Sequence, residues 1–276
     1  MNKSIRLLMS DIDGTLLTDA LELTKELTKA VNKLIEKKIP VVLASARSPK
    51  GMWAIAKELG VQAYPMVCYN GALILANGRA DAIPLFSHHL EETEVKIMID
   101  VLTQNFPKVS INLYSGTQWY VQKIDSWALI ESKITQVVPM QKNLQLLLTK
   151  EQIPVHKLLL IGEAQEIAKL LVYCQKLNLT QSAFYLSKEN YLEVTHKNVS
   201  KATALREVAD YYQLSLEQTM TTGDNFNDIP MLQASGLGVA MGNAPEEVKQ
   251  EGDKVTTSNN DSGVAKAIET YIINNG

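Results

Sequence analysis

Apolar positions along this chain follow two rhythms. Ile5 to Met9 is an apolar run interrupted only by Arg6 that ends just before Asp11, and Leu23, Leu27, Val31 and Leu34 then recur at helical spacing up to Lys37-Lys38. "IPVVLASAR" (39–47) predicts a second buried strand. Trp53, Ala56 and Leu59 mark a helix that stops at Gly60, and "YPMVCYNGA" (64–72) predicts a third strand ending in a turn. Strands that alternate with helices imply a parallel sheet covered on both faces.

From about Leu85 the rhythm changes. Val95, Met98, Ile99 and Leu102 mark a helix, and "VSINLYSGTQWYVQ" (109–122) reads as two strands around Ser115-Gly116. A similar unit returns with Ile167, Leu170, Leu171 and Cys174 on a helix, followed by "SAFYLS" and "YLEVT" across Lys188-Glu189-Asn190. Residues 85–190 are therefore expected to form an inserted α+β domain with a weak internal repeat.

After Lys201 the first rhythm resumes. A helix carries Ala204, Val208 and Tyr211, a short strand "TMTT" (219–222) precedes "GDNFNDIPML", and the runs "GLGVAM" (236–241) and "DKVTTS" (253–258) lead to a final helix through Val264, Ile268 and Ile272. The outer domain is thus expected in two parts, 1–84 and 191–276, with the insert over one end of its sheet.

Composition narrows the partners. The 276 residues are 46% hydrophobic, enough for a substantial core, and the net charge of −3 leaves no basic field for nucleic acid or an anionic membrane. The N-terminal apolar run is broken by Arg6 and stopped by Asp11, too short for a signal core or a membrane span. Cys68 and Cys174 lie far apart without metal or redox spacing, which fits a reducing cytoplasm. The expectation is a cytoplasmic monomer or small homo-oligomer that acts on a small molecule.

Polar residues at the strand ends carry the candidate chemistry. In an open parallel sheet, ligands bind beyond the carboxyl ends of the strands. Asp11 and Asp13 follow the first run, Ser45 the second, and Asp224, Asn227 and Asp228 follow "TMTT", while Lys201 lies at a helix start. A lone Asp-x-Asp-Gly reads first as a solvated acidic turn, so the weight rests on the combination. Were Asp11 and Asp224 about 4 Å apart, their repulsion would be roughly 4 kcal/mol at an effective dielectric near 20. A divalent cation would relieve it, and all-oxygen ligands favour magnesium. An EF-hand loop starting at Asp11 would put Glu22 at its last ligand place, but Leu16 stands where that loop needs glycine.

These residues resemble the haloacid dehalogenase (HAD) superfamily, in particular its Cof-type sugar-phosphatase-like branch. Asp11-Ile12-Asp13-Gly14-Thr15 matches the first motif, Ser45 the second, Lys201 the third, and Gly223-Asp224-Asn225-Phe226-Asn227-Asp228 the fourth. Two positions depart from the pattern: Ser45-Ala46-Arg47 replaces Thr-Gly-Arg, and Lys201-Ala202 replaces Lys-Gly. Serine keeps the hydroxyl donor, whereas Ala46 adds a methyl group where glycine permits close backbone approach.

The resemblance implies an α/β protein with a Rossmann-like parallel-sheet core and an α+β cap. It implies an aspartyl-phosphate mechanism in which Asp11 is the nucleophile and Asp13 the acid and base. Ser45, Lys201 and Asn227 would hold phosphate, and Mg2+ would be bound by Asp11, the Asp13 carbonyl and Asp224, with Asp228 and Asn227 completing or orienting the shell. Arg47 either reaches substrate or caps a helix, and Asn70-Gly71 is either a turn facing the cap or a plain turn.

His88, His89 and His196 read as structural, and Trp119, Tyr120 and Trp127 as cap core or surface. The function expected is a magnesium-dependent phosphatase of small phosphorylated metabolites, sugar phosphates or phosphorylated cofactors. A phosphomutase and a non-catalytic phospho-ligand-binding protein are the alternatives; a phosphoacceptor signalling domain would lack the hundred-residue insert.

Overall fold

The computed structural model describes residues 4–274 and divides the chain into two compact units. The first takes in the chain up to Arg47, Met52–Phe86 and the segment from Ser200 onward; the second takes in Ser48–Gly51 and Ser87–Val199.

The first unit begins with β1 (Leu7–Ser10), α1 (Lys25–Glu36), β2 (Val41–Ala44), α2 (Trp53–Glu58) and β3 (Met66–Cys68). Each of these three strands is wholly buried, as strands covered on both faces must be, and therefore reads as an apolar run and not as an alternation. Thr24 caps α1 by accepting from the Leu27 amide, and the helix buries Leu27, Ala30, Val31 and Leu34. Two short strands then follow, β4 (Leu73–Leu75) and β5 (Pro84–Ser87). β4 runs antiparallel to β3, so the parallel sheet expected from the rhythm has an edge of a different kind.

In the second unit the chain runs through α3 (Glu92–Asn105), β6 (Ser110–Ser115), β7 (Gln118–Val121), α4 (Ser126–Thr135), β8 (Met140–Gln141), α5 (Leu144–Glu151), β9 (Lys157–Ile161), α6 (Ala164–Cys174), β10 (Ser182–Lys188) and β11 (Tyr191–His196). The sheet order is β10-β11-β9-β6-β7-β8, and both copies of the helix–hairpin repeat are present. β11 pairs with β9 and β10, which carries this unit to Val199 and past the boundary expected at 190. Val95, Met98, Leu102, Leu147 and Leu170 pack with Ile111, Leu113, Leu158 and Leu160 from the sheet. The intervening positions bury several polar side chains. Trp119 Nε1 donates to Asn112 Oδ1 at 3.1 Å, and Lys157 pairs with Glu193 at 3.0 Å.

The chain returns to the first unit with α7 (Lys201–Tyr211), β12 (Thr219–Gly223), α8 (Ile229–Ala234), β13 (Leu237–Ala240), α9 (Glu246–Gln250), β14 (Lys254–Val255) and α10 (Gly263–Ile268). Its sheet has the order β14-β13-β12-β1-β2-β3-β4-β5 and is parallel from β14 to β3. Ala204, Leu205 and Val208 of α7 pack on Leu7, Met9, Val42 and Ala44. Among the described residues no helix is long and apolar enough to cross a membrane.

Candidate active site

Register brings the motifs together. Ser10 lies opposite Thr222 on one side and Leu43 on the other, so Asp11, Asp224 and Ser45 follow neighbouring, parallel strand ends. The Asp11 amide continues the ladder by donating to Thr222 O at 2.9 Å, and the Ser45 amide donates to Val67 O at 3.0 Å.

The first turn after β1 is shaped by Gly14. Its φ of +75° is costly for an L-residue, and a Cβ placed there would stand 2.4 Å from Asp224 Oδ2. Glycine therefore lets the loop after β1 close on Asp224. The next residue uses that proximity: Thr15 Oγ1 donates to Asp224 Oδ1 at 2.6 Å. Asn243 Nδ2 holds the same turn from the other side, donating to Gly14 O at 2.8 Å.

Lys201 opens α7, whose N-cap Ser200 accepts from the Thr203 amide at 3.0 Å. Its ammonium is fully buried between two carboxylates, donating to Asp11 Oδ1 and, at 2.6 Å, to Asp228 Oδ1. The other Asp228 oxygen accepts from the Asp224 and Asn225 amides, both at 3.0 Å. Asp228 thus has both oxygens engaged in hydrogen bonds.

One oxygen from each of Asp11, Asp224 and Asp228 lies within 4.8 Å of the others. Burial pushes the Asp11 carboxyl well above the usual carboxylate range; Lys201 opposes that shift, and Asp228 and Asp224 reinforce it. Burial likewise pushes Asp224 up to about 6, with the Thr15 bond working downward and Asp228 upward. Burial alone would lower Lys201, but Asp11 and Asp228 outweigh it and keep the amine protonated. One lysine among three carboxylates leaves excess negative charge that a hard divalent cation would neutralise, so the donor set fits magnesium.

The remaining candidates occupy distinct places. Asp13 is half exposed and its carboxylate receives the Arg47 guanidinium, Nε to Oδ2 at 2.8 Å and Nη2 to Oδ1 at 2.5 Å. Arg47 therefore meets the loop that carries Asp13. The buried Ser45 accepts from the Arg47 amide at 3.2 Å through its hydroxyl oxygen, whose proton remains to be donated. Asn70 and Gly71 form a turn after β3 in which Asn70 Oδ1 accepts from Asn227 Nδ2 at 3.1 Å. Thr15 and Asn243 were not anticipated from the sequence. Thr15 could have been found from its place directly after Asp-x-Asp-Gly, whereas Asn243 is separated from Gly14 by 229 positions and has no local signal.

Comparison with known proteins bears on this arrangement. The haloacid dehalogenase-like hydrolase family matches residues 8–268. The chain is 33% identical over 263 residues to a provisionally named phosphatase of Haemophilus influenzae, covering 94% of this chain and 95% of that one. It is 28% identical over 273 residues to the 5-amino-6-(5-phospho-D-ribitylamino)uracil phosphatase of Bacillus subtilis, covering 98% and 96%. A crystal structure of a haloacid dehalogenase-like hydrolase from Bacteroides thetaiotaomicron superposes with a TM-score of 0.87 at 27% identity, over 96% of this chain and 99% of that one.

Proposed function

The chain belongs to the haloacid dehalogenase-like hydrolases, and from that footing we propose that it is a magnesium-dependent phosphatase of small phosphorylated metabolites acting through an aspartyl-phosphate. The observation that carries this reading is the buried Lys201 ammonium held against Asp11 beside Asp224 and Asp228. A structural ion pair would not need a third carboxylate at such close range.

In this reading Ser45, Lys201 and Asn227 hold the phosphoryl oxygens by charge-assisted hydrogen bonds. A carboxylate oxygen of Asp11 attacks phosphorus as the ester oxygen leaves, and Asp13 gives that oxygen its proton. Asp13 then takes a proton from water, which attacks the aspartyl-phosphate, releasing orthophosphate and restoring Asp11. Asp11, Asp224 and the main-chain carbonyl of Asp13 would hold the magnesium ion, while Asp228 orients Asp224 and Lys201. When bound, the ion would neutralise charge on the transferring phosphoryl group.

Sugar phosphates and phosphorylated cofactors are the proposed substrates, and the relative named for a phosphorylated ribitylaminouracil supports that class. The enzyme is read as cytoplasmic. The test is phosphate release from a panel of sugar phosphates, nucleotides and phosphorylated cofactors, with magnesium or a chelator, for the unmodified protein and Asp11→Asn. Magnesium-dependent turnover that is lost in the variant supports the reading. Phosphoryl transfer to a second sugar hydroxyl in place of water would make the protein a mutase, and binding without turnover would make it a phospho-ligand receptor.

A further inference from the structure

Three consecutive residues after β3 have positive φ: Tyr69 at 53°, Asn70 at 57° and Gly71 at 110°. Left-handed backbone costs an L-residue about 1–2 kcal/mol, so two such residues in a row persist only where the surroundings determine them. Here they do. The Tyr69 ring is buried, the Tyr69 amide donates to Arg47 O at 3.1 Å, and the Asn70 amide donates to Ser45 O at 2.9 Å. At Gly71 a Cβ would stand 2.8 Å from Ser200 O and 3.2 Å from Ala204 Cβ, so glycine alone lets the turn lie against the first turn of the helix that begins with Lys201.

The same turn reaches the fourth motif. Asn70 Oδ1 accepts from Asn227 Nδ2 at 3.1 Å, a contact between residues 157 positions apart. One strained turn therefore touches the three segments that carry Ser45, Lys201 and Asn227.

We infer that Asn70 is a positioning residue for Asn227, held in left-handed geometry so that its carbonyl sets the plane of the Asn227 amide. This rests on the phosphate-binding reading given above and adds how the site is ordered. An asparagine amide nitrogen has two hydrogens. Committing one to Asn70 prevents the Asn227 amide from turning its oxygen toward an incoming phosphoryl group and leaves the second hydrogen for a phosphoryl oxygen. Without Asn70 the amide would sample both faces, one of which opposes an anion.

The inference is tested by isothermal titration of inorganic phosphate, in magnesium, into the unmodified protein, Asn70→Gly, Asn227→Ala and the double variant. Glycine keeps the positive φ, so Asn70→Gly removes the amide, and the backbone strain it relieves offsets in stability the hydrogen bond that is lost. Asn70→Gly is expected to weaken phosphate binding about five- to tenfold, the effect of one hydrogen bond, with an unchanged Tm. In the Asn227→Ala background the same change is expected to have no further effect, because its route of action is gone. Phosphate affinity unaltered by Asn70→Gly, or a loss that adds in full to that of Asn227→Ala, would overturn the inference while the phosphatase reading stands. Failure of the unmodified protein to bind phosphate would remove that reading and the inference with it.

Discussion

The Arg47 guanidinium grips the Asp13 carboxylate through two parallel hydrogen bonds, of 2.8 and 2.5 Å, although both side chains are partly exposed. The pair links the loop after β2 to the acid–base group of the proposed mechanism. Exposed ion pairs contribute little to stability, so its importance lies in orientation. Arg47→Ala is expected to leave Tm within about 2 °C of the unmodified protein and to lower kcat/KM by ten- to a hundredfold. Arg47→Lys is expected to recover only part of that loss, since an ammonium cannot make the bidentate contact. Steady-state kinetics beside a thermal melt would check both.

Lys201 should behave in the opposite way. Its ammonium is fully buried between Asp11 and Asp228, and removing it leaves two carboxylates uncompensated. Lys201→Met is expected to cost about 3–5 kcal/mol of stability, measured by urea unfolding, and to abolish turnover. Magnesium should restore part of the lost stability, because the ion would supply positive charge to the same carboxylates.

Thr15 offers a separation of metal binding from substrate binding. Its hydroxyl donates to Asp224 Oδ1 at 2.6 Å and so orients a proposed ligand. Thr15→Val is expected to raise the magnesium concentration for half-maximal activity about tenfold while changing KM for substrate less than threefold. The magnesium-induced rise in Tm should shrink in parallel, which reads metal affinity without reference to turnover.

The second unit contains its own titrating group. His156 is buried, its Nδ1 accepts from the Gly116 amide at 3.0 Å, and its Nε2 lies 3.0 Å from Ser87 Oγ. That assignment places the single proton of the neutral ring on Nε2. Burial first, and then the charges of His89 and His88, bring the imidazole down to about 4. Between the unfolded value near 6.5 and 4 the unfolded chain binds a proton that the native protein excludes, so the His156 contribution to stability is full above about pH 6.5 and falls as the pH drops through that window. The loss should amount to about 1.4 kcal/mol per pH unit within the window. Asp11 and Asp224, both raised, titrate over the same range with the opposite sign, so the slope should appear in the difference in stability between the unmodified protein and His156→Gln, followed by denaturant melts from pH 7 to 4.

Much of the site was legible in the chain before folding. A strand buried on both faces is mostly apolar, so polar groups at its end stand out, and Asp11 and Ser45 were each marked by the apolar run before them, whereas Asp224 follows a short buried strand rich in β-branched threonine. β4 and β5 were missed because three or four residues beside a turn are too short to display a period, and α4 and α5 were missed because only a few of their positions are buried, which leaves a weak helical pattern. The boundary at Val199 follows from the pairing of β11 with β9, a contact between distant segments.

The sequence by itself determined which groups would crowd the strand ends, because strand periodicity and motif spacing are local properties of the chain. Tertiary structure alone decided which partner each group meets there. It engaged both Asp228 oxygens in hydrogen bonds, brought Arg47 to Asp13, and joined Asn70 to Asn227. These are directional contacts of about 3 Å between residues up to 157 positions apart. Periodicity tells which face a side chain takes, and only the closed sheet tells which distant partner it meets.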